Sequence, residues 1–122
     1  MTDFKINIDN YSNEIVIIKL EGYLDAHTAP ELENQIANLV ENDIVKIIID
    51  FEKLNYISSA GLGVFMAYIE DIREKGGDIK FTNVPDKIYE VFDILGFPMI
   101  YEIYKDSKEA INNFNEISND QR

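Results

Sequence analysis

The stretch Ile57-Ser58-Ser59-Ala60-Gly61-Leu62-Gly63-Val64, entered from the apolar run Val45-Lys46-Ile47-Ile48-Ile49-Asp50-Phe51, decides the fold. Apolar residues at 62, 65, 66, 69 and 72 have the spacing of one helical face, so a strand gives way to a helix at the two serines. Ser58 then reads as the N-cap and Ser59 as a first-turn residue. A helix start carries unpaired N–H groups and the positive end of the macrodipole, so an anion on Ser59 meets a favourable field. The plainer reading of the same pair is that both serines only cap.

Working outward, Phe4, Ile6 and Ile8 alternate with polar residues, and after Asp9-Asn10-Tyr11-Ser12-Asn13 the run Ile15 to Leu20 reads as a better buried strand. An opening hairpin is expected. Thr28 and Glu31 have capping-box spacing with Pro30 in the first turn, so a helix is predicted from Thr28 with Leu32, Ile36, Leu39 and Val40 inward. The run Val45 to Phe51 reads as a central strand covered on both faces. The helix after Ser59 should stop at Gly76-Gly77 and lead into a strand, Asp78 to Thr82. Asn83-Val84-Pro85-Asp86 opens a third helix with Ile88, Val91, Phe92 and Leu95 on one face, and Gly96 ends it. Ile100 to Tyr104 reads as a last strand, and Asp106 with Glu109 precedes a final helix carrying Ala110, Ile111 and Phe114.

This order predicts an α/β fold, a mixed and mostly parallel β-sheet packed against about four α-helices. One domain is expected over residues 1–117, with 118–122 a frayed tail. Loops at the carboxyl ends of the strands should bring Asp25–Thr28 beside Ser58–Gly63.

Eleven Lys plus Arg against 23 Asp plus Glu give a net charge of −12, which repels nucleic acid and anionic lipid. The chain has no cysteine, no apolar run of membrane-spanning length and no basic-then-apolar leader, so a cytoplasmic address is expected. Gly61-x-Gly63 lacks a third glycine, since Met66 stands there, and no Walker lysine follows. The lone His27, with Ser59 and Asp25 or Asp50, raises a hydrolase triad. The Gly-x-Ser-x-Gly elbow is absent, however, because position 57 is Ile. No metal-ligand spacing stands out among the carboxylates. No catalytic residue, metal or cofactor is therefore assigned. Phe92, Phe97, Tyr101 and Tyr104 read as core and sheet packing, and Leu95-Gly96-Phe97-Pro98 as apolar area available to an interface.

Five pieces occur in order: Gly22-x-Leu24-Asp25-x-x-Thr28-Ala29, Ile48-Ile49-Asp50-Phe51, Ile57 to Val64, Gly76-Gly77, and Val91-Phe92-x-x-Leu95-Gly96-Phe97. Together they resemble the anti-sigma factor antagonists of the STAS domain family over nearly the whole chain. The resemblance implies a non-enzymatic switch protein. Unphosphorylated, such an antagonist binds an anti-sigma factor that is also a serine/threonine kinase and frees the sigma factor. Phosphorylation of one serine ends the binding, and a serine phosphatase restores it. Aligned on Gly61-Leu62-Gly63, that serine falls on Ser59, with Ser58 the second candidate. The family usually has Asp before the serine and Ser or Thr after it, where this chain has Ser58 and Ala60.

The implied partner surface comprises Asp25, Thr28, Ser58, Ser59, Gly61, Leu62 and Gly63. Asp25 also reads as a solvated turn residue. Gly61 and Gly63 are expected mainly to let the helix start pack closely on the sheet. The phosphate is expected to act sterically and by charge, on a face rich in carboxylates, without refolding. Two alternatives stand beside this reading: a STAS module in another phosphorylation-controlled partner switch without a sigma factor, and a small serine hydrolase.

Overall fold

Ile47, Ile48 and Ile49 are all fully buried, which three consecutive strand residues achieve only with cover on both faces. The computed structural model describes residues 4–120, with side chains through Glu116, and sets these isoleucines near the start of β3 (Lys46–Ile57). The other strands are β1 (Lys5–Asn10), β2 (Ile15–Leu24), β4 (Asp78–Thr82) and β5 (Ile103–Tyr104). They form one sheet in the order β1-β2-β3-β4-β5, with β1 antiparallel to β2 and the other pairings parallel. The helices are α1 (Ala29–Glu41), α2 (Ser59–Glu74), α3 (Asp86–Ile94) and α4 (Ser107–Asp120), with a 3-10 turn at Phe97–Met99. Apart from that turn, the element order is the one expected. Of the tail expected to fray, 118–120 continue α4, and Gln121 and Arg122 lie outside the described residues.

Helices α1, α2 and α3 cover the front of the sheet through Leu32, Ile36, Phe65, Ile72 and Phe92. Phe81 of β4 centres this core: its ring stacks on Tyr101 at 4.6 Å and meets Phe51 edge-on at 5.0 Å. Burial pushes the Tyr101 hydroxyl up to about 12. Behind the sheet, α4 lays Ala110, Ile111 and Phe114 on Ile15, Ile17 and Ile48. Lys80 is buried in this layer, its Nζ bonded to Glu102, 3.6 Å from Asp78 and 4.6 Å from the Phe114 ring. Tyr104 donates to the same Glu102 oxygen at 2.6 Å. The bond from Lys80, then that from Tyr104, holds Glu102 below the ordinary carboxylate value.

Strand lengths depart from expectation. β2 runs to Leu24 instead of Leu20, and β3 to Ile57 instead of Phe51. Their pairing continues through two register shifts, with Gly22 at φ 93°, so β3 absorbs extra residues and returns Leu54 and Ile57 to the core. The polar run Glu52-Lys53 hides this from a pattern reading. β5 keeps only two of five expected residues, because Ile100 ends the 3-10 turn and Tyr101 enters the aromatic core. The stop of α2 is as expected: Gly77 N–H reaches the Ile72 carbonyl at 2.9 Å and Gly76 N–H that of Arg73 at 3.0 Å, with Gly76 at φ 87°.

Glu102→Gln should lower the unfolding free energy at pH 7 by roughly 1–2 kcal/mol, the low end for a charged hydrogen bond, since Glu102 is exposed on one side. A depressed carboxylate adds stability that is complete above its unfolded value, near 4.5, and is lost as pH falls through its lower folded value. Urea unfolding of parent and variant should therefore differ at pH 7 and converge in strong acid. An unchanged gap at low pH contradicts this account of Lys80.

Candidate functional site

The β2–α1 and β3–α2 loops are joined by a backbone bond, Ser58 N–H to the Leu24 carbonyl at 2.9 Å, so Asp25–Thr28 does lie beside Ser58–Gly63. Asp25 Oδ1 accepts from the N–H groups of His27 at 2.9 Å and Thr28 at 3.2 Å, which folds the first loop around its half-buried carboxylate. Thr28 Oγ1 donates to the Tyr23 carbonyl at 2.8 Å and accepts from Asp25 N–H at 2.9 Å. The expected capping box with Glu31 does not form, because Thr28 occupies the cap position without a side-chain cap bond and its hydroxyl is taken by the loop. Pro30 still lies in the first turn of α1.

The two serines separate by environment. Ser58 is the N-cap, extended at φ −102° and ψ 174°, with its carbonyl accepting from Leu62 N–H at 3.0 Å. Its Oγ accepts from Gly61 N–H at a long 3.5 Å, so the cap is weak. Ser59 is the first residue of α2 and exposed, and its hydroxyl has no hydrogen-bond partner among the described residues. No acidic residue occupies the first turn, so the positive end of the helix is uncompensated there.

Ser59 and Ala60 stand between two open grooves of about 240 Å³ each. One, between α2 and the end of α3, is apolar: Leu62, Met66, Leu95 and Phe97 line it with Ser59 at its rim. The other, between α1 and α2, is walled by Ala26, Ala29, Ala60, Gly63 and Ala67, with Glu33 its one carboxylate. The expected carboxylate-rich face is therefore not what immediately surrounds Ser59. Met66, placed by spacing on the face of Leu62 and Phe65, is 55 % exposed, and Leu95, expected to offer apolar area to an interface, is 53 % exposed. Periodicity tells which residues share a face, and here no element among the described residues closes over that face. Such a patch beside an exposed hydroxyl has the character of an interaction surface. Sequence reasoning missed Met66 and the small residues Ala60 and Ala67 as surface, although the run of small residues at helical spacing was visible.

The glycines also divide. A Cβ on Gly61 would lie 2.7 Å from Leu24 Cγ, so Gly61 lets the helix start press on the sheet. A Cβ on Gly63 meets nothing within 4 Å. The expectation that Gly63 serves close packing is thus corrected: nothing inside the chain needs a glycine there, although an interior helix glycine costs about 0.5–1 kcal/mol relative to alanine.

The triad does not assemble. Among the described residues His27 is exposed and has no hydrogen bond to Ser59. Asp25 is engaged in its loop, and Asp50 Oδ1 accepts from Glu52 N–H at 2.9 Å and Asn83 Nδ2 at 3.2 Å. No group of three or more potential metal ligands occurs among the described residues, and no described helix is long and apolar enough to cross a membrane.

Fold and surface together define a small α/β domain whose distinctive feature is an open, largely apolar face centred on a serine at a helix start. The chain belongs to the STAS domain family, whose pattern matches residues 7–110. It is 30% identical over 107 residues to the anti-sigma-B factor antagonist of Bacillus subtilis (strain 168), covering 87% of this chain and 97% of that one. Among solved structures it resembles the anti-sigma factor antagonist SpoIIAA in its unphosphorylated form, with a TM-score of 0.75 at 21% identity over 91% of this chain and 98% of that one. The Bacillus cell fate determinant SpoIIAA in the phosphorylated form gives 0.72 at 22% identity over 90% and 99%. At these identities the structures show the shared fold.

Opposite effects are expected from the two glycines. Gly61→Ala should destabilise the domain by about 1–2 kcal/mol through overpacking against Leu24, and Gly63→Ala should stabilise it by about 0.5–1 kcal/mol. Thermal and urea unfolding of both variants checks the pair of signs.

Proposed function

We propose that this chain is an anti-sigma factor antagonist: unphosphorylated, it binds an anti-sigma factor with serine kinase activity and frees the sigma factor, and phosphorylation of Ser59 releases it. A serine phosphatase then restores the binding form. The observation that carries the reading is the free, exposed Ser59 hydroxyl in the first turn of α2, at the rim of an uncovered apolar groove. The name of the Bacillus subtilis relative supports the same class of function. Ser58 is the weaker acceptor because it is half-buried and its N–H, carbonyl and Oγ are all engaged.

The surroundings of Ser59 favour desolvation over like-charge repulsion as the releasing force. A phosphoserine brings about −1.5 to −2 charges to a rim formed by Leu62, Met66, Leu95 and Phe97. A partner side chain filling that groove would strip water from the dianion, at a cost of several kcal/mol without a compensating cation. Thousandfold release needs only about 4 kcal/mol. The domain itself is spared, since the phosphate faces the free N–H groups of the α2 start. In this reading the bare Gly63 admits the partner's backbone between α1 and α2.

With a cognate kinase and ATP, mass spectrometry should place the phosphate on Ser59. Ser59→Ala should abolish labelling and keep partner binding, Ser58→Ala should retain labelling, and His27→Ala should leave both intact. In calorimetry the phosphoprotein should bind at least a hundredfold more weakly, and equal affinities would defeat the proposal. Gly63→Ala should weaken binding about tenfold while the fold gains stability, which separates a contact role from a folding role.

A further inference from the structure

We infer that two copies of this chain pair through the outer edge of β1, antiparallel about a two-fold axis at Asn7. β1 ends the sheet, so among the described residues the N–H and C=O groups on its outer side have no strand neighbour. Such edges are blunted by proline, a bulge, strong twist or charged side chains, and β1 carries two charges, Lys5 and Asp9, which a second copy can pair. β1 has no proline and no bulge: Lys5 to Asn10 pairs with β2 in unbroken register from Lys5↔Glu21 to Asn10↔Val16.

The sequence Lys5-Ile6-Asn7-Ile8-Asp9 complements itself when reversed. With the axis at Asn7, Lys5 of one copy stands opposite Asp9 of the second, Ile6 opposite Ile8, and Asn7 opposite Asn7. The three inner kinds of facing pair are favourable, and symmetry produces each unlike pair twice; at the ends of the paired stretch Asn10 stands opposite Phe4. Moving the axis to Ile6 or Ile8 loses both charge pairs, so the register is specified. Within one chain neither Lys5 nor Asp9 has an ion-pair partner among the described residues.

The front face fits as well. A groove of about 320 Å³ runs between β1 and α1 over Phe4 and Ile6, flanked by Glu31, Asn34 and Gln35. Pairing sets Ile8 of the second copy, 37 % exposed in the single chain, beside Ile6 at the floor of that groove. Ser59 follows β3, two strands in from this edge, so pairing leaves both serines clear.

Sedimentation equilibrium of the intact chain, up to concentrations on the order of 1 mM, should show a monomer–dimer equilibrium, as befits a small interface. Lys5→Glu alone, or Asp9→Lys alone, should weaken dimerisation at least tenfold, because like charges then face each other twice. Mixing the two variants should restore pairing as a heterodimer, since the facing charges are again opposite. The mixed sample is decisive because Lys5 also faces Glu21 within the chain, so loss in Lys5→Glu alone has a second possible cause. A chain that stays monomeric throughout, single variants that dimerise like the parent, or a mixture that fails to pair would each overturn the inference.

Discussion

The bond from Ser58 N–H to the Leu24 carbonyl closes the β2–β3 ladder, and the geometry of the candidate site depends on it. Parallel pairing persists to Leu24↔Ile57, well past Asp50↔Thr82, where β4 leaves β3. At that shared end Leu24 does two things: its carbonyl fixes the turn into α2, and its side chain is the surface on which Gly61 rests. The β2–α1 loop and the first turn of α2 are therefore positioned by one residue. Both loops are tied to Leu24, so the Ser59 hydroxyl is presented from backbone anchored on the sheet.

The parts of this arrangement legible in the sequence are those where one local rule acts without competition. Three isoleucines in a row announce a doubly covered strand, and Gly76-Gly77 after an amphipathic run announces a helix stop. The parts that were not legible involve competition or absence. Thr28 and Glu31 have the spacing of a capping box, but the Tyr23 carbonyl, near the end of β2, and the Asp25 N–H just after it take the Thr28 hydroxyl. Glu52 and Lys53 look like a loop, yet a partner strand with Gly22 at positive φ takes them into a bulged ladder. Met66 and Leu95 have core spacing but lack cover, and spacing carries no information about whether cover exists. Gly63 is the same lesson reversed: its missing side chain answers no need within the chain.

Uncovered apolar area and an unforced glycine both carry a cost in the isolated domain. They occur around the one serine whose hydroxyl is free at a helix start. Under the proposed function these features have a common origin, since a partner that fills the grooves would recover the cost on binding. Under that function the same geometry would make a phosphate effective. A switch built only on repulsion between surface charges would weaken with salt, because the Debye length at physiological ionic strength is about 8 Å. A dianion that must be dehydrated is screened far less.

The residue before Ser59 adjusts this balance. Where the family usually carries Asp, this chain has Ser58, which caps with a neutral oxygen at 3.5 Å from Gly61 N–H, and no acid follows in the first turn. An aspartate there would set a negative charge about 5 Å from a phosphate on the next residue, an opposition of about 3 kcal/mol per unit charge near a protein surface before screening. With serine at the cap, the macrodipole and the free N–H groups of α2 act on the phosphate unopposed. For the phosphorylated form proposed here, the modification would then be drawn onto its own helix and held at a defined point on the groove rim. The neutral cap gives up some capping strength in the unmodified helix, and in the proposed phosphorylated form it would favour an ordered phosphate, which would obstruct a preformed surface more effectively than a wandering one.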